Sequence, residues 1–114
     1  MITNRKQMKV QTNEKLRGGT GTVTMVHFAD QSTMKHHRLL AECTIPPGAS
    51  IGEHKHDNEI EYYIILEGKG IVVDNGVDVP VGPGDVVATG DGASHSIRNE
   101  GKVPLKFHAV IVTY

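Results

Sequence analysis

Two histidines one residue apart, His54 and His56, are followed five residues later by a carboxylate, Glu61. In an extended strand residues i and i+2 share a face, so the two imidazoles would project side by side. Glu61 reaches the same spot only if the chain reverses, and Asp57-Asn58-Glu59 supplies residues suited to a turn. Imidazole and carboxylate together favour a first-row transition metal, such as manganese, iron, nickel or zinc, over calcium. The stretch Gly48 to Gly68 that carries these groups lacks a fourth ligand, which must come from elsewhere in the chain.

The elements that must position such a site read as strands. Residues 1–20 are polar and mixed in charge, an N-terminal arm with one short strand expected near Gln7 to Val10; residues 21–114 form a single domain. The run Gly18-Gly19-Thr20-Gly21 has no Lys-Ser or Lys-Thr after it and opens no helical pattern, so it reads as a flexible turn rather than a phosphate loop. Thr22 to Phe28 is β-branched. Arg38 to Ile45 alternates, with Leu39, Ala41, Cys43 and Ile45 on one face, and Pro46-Pro47-Gly48 ends it. Glu61 to Leu66, Ile71 to Asp74, Val77 to Val81, Val86 to Thr89, His95 to Arg98 and Leu105 to Thr113 follow, separated by glycine-rich turns. Among these turns Asn75-Gly76 is a strong two-residue hairpin signal. No stretch has a 3.6-residue apolar period, and eight to eleven short strands point to an all-β sandwich or barrel.

At 114 residues one core is expected. A formal net charge of −1 without a basic stripe argues against a nucleic-acid partner. No apolar run is long enough to cross a bilayer, and no signal peptide follows the basic start, so a cytoplasmic location is expected. The single cysteine, Cys43, cannot form an intrachain disulfide and reads as a small buried hydrophobe.

The missing ligand lies in Gly84 to Asn99, which holds His95. Taken together, the two stretches resemble the cupin superfamily, specifically its small single-domain, oxalate-decarboxylase-like members. Gly48, His54, His56, Glu61 and Gly68 match the first cupin motif, and Gly84, Gly92, His95 and Asn99 match the second. Gly90 stands where that motif usually has proline, a departure at a turn and not at a ligand. The resemblance implies a small double-stranded β-helix, a jelly-roll-like barrel. It also implies one divalent metal held by His54, His56, Glu61 and His95. Manganese is the first expectation, with iron, nickel, zinc or copper as alternatives. Glu59 is the alternative carboxylate, being nearer His56, but the spacing to Gly68 favours Glu61 and leaves Glu59 as a turn residue or an acceptor behind a ligand. Strand alternation from Glu61 turns Tyr63 inward as a candidate hydrogen-bond donor to substrate. His108 is a second candidate if its face of the last strand is the inner one.

The family scaffold hosts many reactions, and no catalytic residue is assigned from these letters. The resemblance implies first a metal-dependent enzyme acting on a small carboxylate or oxo acid. A dioxygenase or a sugar or sugar-phosphate isomerase are alternatives, the last calling on Arg38 or Arg98. A non-catalytic module binding a small molecule or sugar is the reading from another class. Oxalate decarboxylation needs a lid carrying a glutamate, and no obvious lid loop is present. Small cupins are commonly homodimers, and a homodimer is expected here because a short barrel leaves strand edges to cover.

Overall fold

The computed structural model describes residues 1–114. Its ten strands are β1 (Lys9–Glu14), β2 (Thr22–His27), β3 (His37–Ile45), β4 (Ser50–Lys55), β5 (Glu59–Glu67), β6 (Gly70–Asp74), β7 (Val77–Val81), β8 (Val86–Gly90), β9 (Ser94–Arg98) and β10 (Leu105–Thr113). The only helical pieces are three 3-10 turns, Arg5–Gln7, Leu16–Gly18 and Gln31–Thr33. All strand pairs are antiparallel, in a six-stranded sheet ordered β1-β2-β3-β10-β5-β8 and a four-stranded sheet ordered β4-β9-β6-β7. No helix is long and apolar enough to cross a membrane.

Alternation makes the core. On β10 Leu105, Phe107, Ala109 and Ile111 are buried, and on β3 Ala41, Cys43 and Ile45 are buried. Tyr63 and Ile65 from β5 join them, and Val72 and Ile97 face them from the other sheet. Asn75 and Gly76 both take positive φ (49° and 89°), the backbone that a tight hairpin between β6 and β7 requires. Pro80 sits in β7, an edge strand, where its missing N–H costs no ladder bond.

Two differences from the expected strands matter for the site. The N-terminal strand lies at Lys9–Glu14 rather than Gln7 to Val10, which places Gln11 and Asn13 on its more buried side. Glu59 begins β5 instead of ending a turn, and the reversal is carried by Asp57 and by Asn58 at φ 56°.

Register irregularities then aim particular side chains. Ile51 pairs with Ile97 and His54 with His95, so two residues of β4, Gly52 and Glu53, oppose Ser96 alone. This bulge puts Ile51 and His54, three residues apart, on the same inner face. Leu39 pairs with Ile111 and His37 with Val112, leaving Arg38 as the unpaired extra residue of β3.

Candidate metal centre

His54 near the end of β4, His56 just beyond it, Glu61 on β5 and His95 on β9 meet at the interior, their ligand atoms all within 4.8 Å of one another. The group is a His/Glu cluster that could bind a metal. Glu61 and His95 project into one space, and both are buried.

Hydrogen bonds on the far side of two rings fix which nitrogen faces inward. His54 Nδ1–H donates to the Gly52 carbonyl at 2.8 Å, so its Nε2 carries a lone pair. His56 Nδ1 donates to Glu59 Oε2 at 2.5 Å, which fixes the same tautomer. Glu59 is in turn held by Arg38, whose Nε and Nη2 each donate at 2.7 Å to its two oxygens. The Arg38 guanidinium, with help from His56, depresses the Glu59 carboxyl to about 2 although partial burial opposes it. Glu59 is thus the anionic acceptor behind a ring, the arrangement that orients metal-binding histidines.

The inward atoms crowd each other. His95 Nε2 lies 2.9 Å from His54 Nε2, 3.1 Å from His56 Nε2 and 3.0 Å from Glu61 Oε1. Glu61 Oε1 is also 3.0 Å from His56 Nε2 and 3.6 Å from His54 Nε2. Two lone-pair nitrogens, a carboxylate and one further imidazole nitrogen converge with at most one hydrogen to share among neutral rings. Protons can meet part of that demand: burial disfavours a charged Glu61, but the three imidazoles outweigh it and hold the carboxyl well below its usual range. Hydrogen bonding to Glu61, then to Glu59, raises His56 against the opposing effect of burial, whereas burial lowers His95 despite Glu61. A cation satisfies all four donors at once. Three imidazole nitrogens and one carboxylate oxygen converging in this way fit a divalent transition metal.

Tyr63 is brought to the cluster. Its ring stacks on His95 at 4.8 Å between centroids, and its hydroxyl lies 3.3 Å from His95 Nε2. Burial, reinforced by Glu61 and Cys43, pushes its phenol well up, so it stays a neutral donor. His108 is not brought there. On β10 the inner face is that of Phe107, Ala109 and Ile111, so His108 points to the other side and packs edge-on against Phe28 at 5.2 Å. Arg98 is also away from the cluster, bonded to Asp78 and Glu100. Burial drives the Cys43 thiol strongly up, which suits a packing residue and not a nucleophile.

The cluster opens into a cavity of about 280 Å³ whose walls include Tyr63, Leu39, Ile51 and Ile111. Sequence reasoning missed another part of its lining, which includes Gln11 and Asn13 from β1, Arg17 from the 3-10 turn and His27 from β2. Among the lining residues Glu61 is the single carboxylate, against two arginines, Arg17 and Arg38. Only the amides at Gln11 and Asn13, spaced to share one strand face, could have hinted at this wall.

Comparison with known proteins agrees with this geometry. Residues 41–112 match the family model described as cupin domain. Over 113 residues, 98% of this chain and 93% of the other, the sequence is 43% identical to a Thermotoga maritima protein named oxalate-binding protein. A crystal structure from Thermotoga maritima, described as a predicted oxalate decarboxylase, superposes with a TM-score of 0.94 at 43% identity, covering 100% of both chains. A Thermus thermophilus structure matches at 20% identity with a TM-score of 0.73, covering 98% and 96% of the two chains, a likeness of fold alone.

Proposed function

The chain belongs to the cupin domain family, and from that premise we propose that it binds a short carboxylate or oxo acid, of which oxalate is the type, at one divalent transition metal. His54, His56, Glu61 and His95 hold the ion, with manganese the first candidate. When bound, it supplies positive charge that draws and polarises ligand oxygens. The observation that carries the reading is the charge of the cavity. Its only acidic lining residue is the one already committed to the cluster, and of the two arginines that line the same space Arg38 is paired with Glu59 while Arg17 has no carboxylate partner. An anion entering it meets the Arg17 guanidinium, and apolar residues such as Leu39, Ile51 and Ile111 beside it strengthen the attraction. The small volume suits a molecule of few atoms. The relative named for oxalate binding supports the same ligand class.

A second reading, turnover of the bound acid, rests on Tyr63. Its neutral hydroxyl beside His95 can hold a proton close to the ligand. No unpaired carboxylate lines the cavity to act as a second acid or base, which is why binding is placed first.

The test is calorimetric titration of oxalate into protein stripped of metal, then loaded in turn with manganese, zinc, nickel and iron. Binding that requires metal and disappears in His54→Ala supports the proposal. Oxalate binding of equal strength with and without metal overturns it. Formate or carbon dioxide released in the same samples would move the second reading ahead.

A further inference from the structure

The function proposed above leaves one wall of the cavity unexplained, the one built by β1 and the 3-10 turn Leu16–Gly18. Arg17 lines the cavity, yet no carboxylate lies within ion-pair reach of it and its guanidinium makes no hydrogen bond within the protein. Its backbone sits at φ 56°, ψ 30°, and Lys15 nearby at φ 51°, ψ 44°, both in the left-handed region that glycine occupies at less cost. Two non-glycine residues held this way persist where the surroundings determine them, and such outliers point to a role for the side chain.

The surroundings are specific. A Cβ on Gly52 would meet the backbone of Arg17 and lie 2.8 Å from the Gly19 nitrogen, and a Cβ on Gly19 would lie 2.8 Å from the Gly52 nitrogen. The turn therefore rests backbone to backbone on β4, at the bulge that aims His54. Thr20 pins its far end, its backbone N–H donating to Ser50 Oγ at 2.9 Å and its hydroxyl to the Gly48 carbonyl at 3.0 Å. The glycine run read as a flexible turn is a seat that holds Arg17 beside the strand carrying a ligand.

Asn13 adds a second donor to this wall. His27 Nε2 donates to Gln11 Oε1 at 2.8 Å, and Gln11 Nε2 donates to Asn13 Oδ1 at 2.9 Å. The relay uses the Asn13 oxygen and leaves its Nδ2 buried without a partner. A buried amide donor with no acceptor is costly, and a small shift of the side chain toward the cavity would let a ligand oxygen satisfy it.

We propose that Arg17 and the Asn13 amide receive the end of the ligand that the metal cluster does not hold, so that the site selects acids with a second anionic group. This rests on the proposed carboxylate site and adds what distinguishes a dicarboxylate from a monocarboxylate there. Charge-assisted hydrogen bonds hold the second group, and a ligand lacking it leaves the Asn13 amide unpaired and the exposed Arg17 guanidinium to water.

The test titrates oxalate and acetate separately into manganese-loaded wild type, Arg17→Gln, Arg17→Gly and Asn13→Ala. Losing the charged contact is expected to weaken oxalate binding about 10- to 100-fold in both Arg17 variants and several-fold in Asn13→Ala, with acetate binding and metal affinity unchanged. Arg17→Gly is also expected to be at least as heat-stable as wild type, because glycine relieves the left-handed backbone. That outcome separates a residue kept for the ligand from one kept for the fold. If wild type binds oxalate and the Arg17 variants bind it equally, the second anchor is overturned and the metal site stands. If wild type binds neither acid with metal present, the carboxylate reading itself is overturned and the anchor with it.

Discussion

Glu59→Gln isolates the contribution of the charge behind His56. In the wild type Glu59 Oε1 accepts from Arg38 Nε at 2.7 Å, and Oε2 accepts from both Arg38 Nη2 at 2.7 Å and His56 Nδ1 at 2.5 Å. Glutamine replaces one oxygen with an NH2 group. Whichever way the amide is placed, a donor faces a donor: Arg38 Nε in one orientation, Arg38 Nη2 and His56 Nδ1 in the other. The carboxyl is displaced from its ordinary range to about 2, which corresponds to roughly 3 kcal/mol favouring the carboxylate over its protonated form. The Arg38 hydrogen bonds are the largest cause and His56 supplies a smaller part. The part felt by the ring is therefore expected to appear as about 10- to 100-fold weaker metal binding, the usual cost of removing such an acceptor. The assay is competition with a chromophoric chelator at neutral pH, alongside the melting temperature of metal-free protein. Weaker binding beyond the fall in metal-free stability supports the reasoning. Metal affinity within twofold of wild type, with only the metal-free melting point reduced, would refute it and make Glu59 a strut for Arg38 alone.

Metal at a hundredfold excess over its dissociation constant should add about 2.7 kcal/mol to unfolding stability, and His54→Ala should erase that increment; calorimetric melts with and without metal check both. Gly52→Ala places a Cβ 2.8 Å from the Gly19 nitrogen and should cost about 1–3 kcal/mol in urea unfolding. The pH response of the N-terminal tether has a definite sign. Hydrogen bonding from Arg5, against some burial, lowers the Glu42 carboxyl, so its stabilising effect is fully present above the ordinary carboxylate range and fades as pH falls through the lower folded value. Proteolysis of residues 1–8 should quicken over that descent, and Glu42→Gln should show the quick rate at neutral pH. β1 is a free edge of the larger sheet with Val10 exposed, and a homodimer that covers such an edge is expected; a monomer mass by light scattering would remove it.

The floor of the cavity was legible because its determinants are local. His54 and His56 sit two residues apart, Glu61 lies in the next inward alternation, and the glycines around them mark turns; the His95 stretch repeats that grammar. Period and punctuation also placed most strands within a residue or two. What escaped the reading is displaced by single-residue insertions, which leave no mark on composition. The unpaired Arg38 of β3 and the Gly52–Glu53 bulge of β4 each redirect a side chain that simple alternation would place elsewhere. His108 was open to either face of β10. The larger apolar set Leu105, Phe107 and Ile111 took the interior, since burying that set gains more than burying a histidine with Val110 and Val112.

The wall differs in kind from the floor. Gln11, Asn13 and Arg17 belong to a polar arm with no apolar period, so nothing in the segment itself announces an inner face. They reach the cavity because β1 pairs with β2 and because two glycines, Gly19 and Gly52, let the turn rest on β4. The cluster and its wall are thus encoded separately, one by spacing within short motifs and the other by tertiary contact across more than thirty residues of chain, as between Gly19 and Gly52. If the proposed anion site is correct, substitutions confined to residues 11–17 are expected to change which anion is held without disturbing the four donors. The cupin motifs thus point to a cluster that could bind a metal, while the side chains proposed to choose its ligand lie outside them.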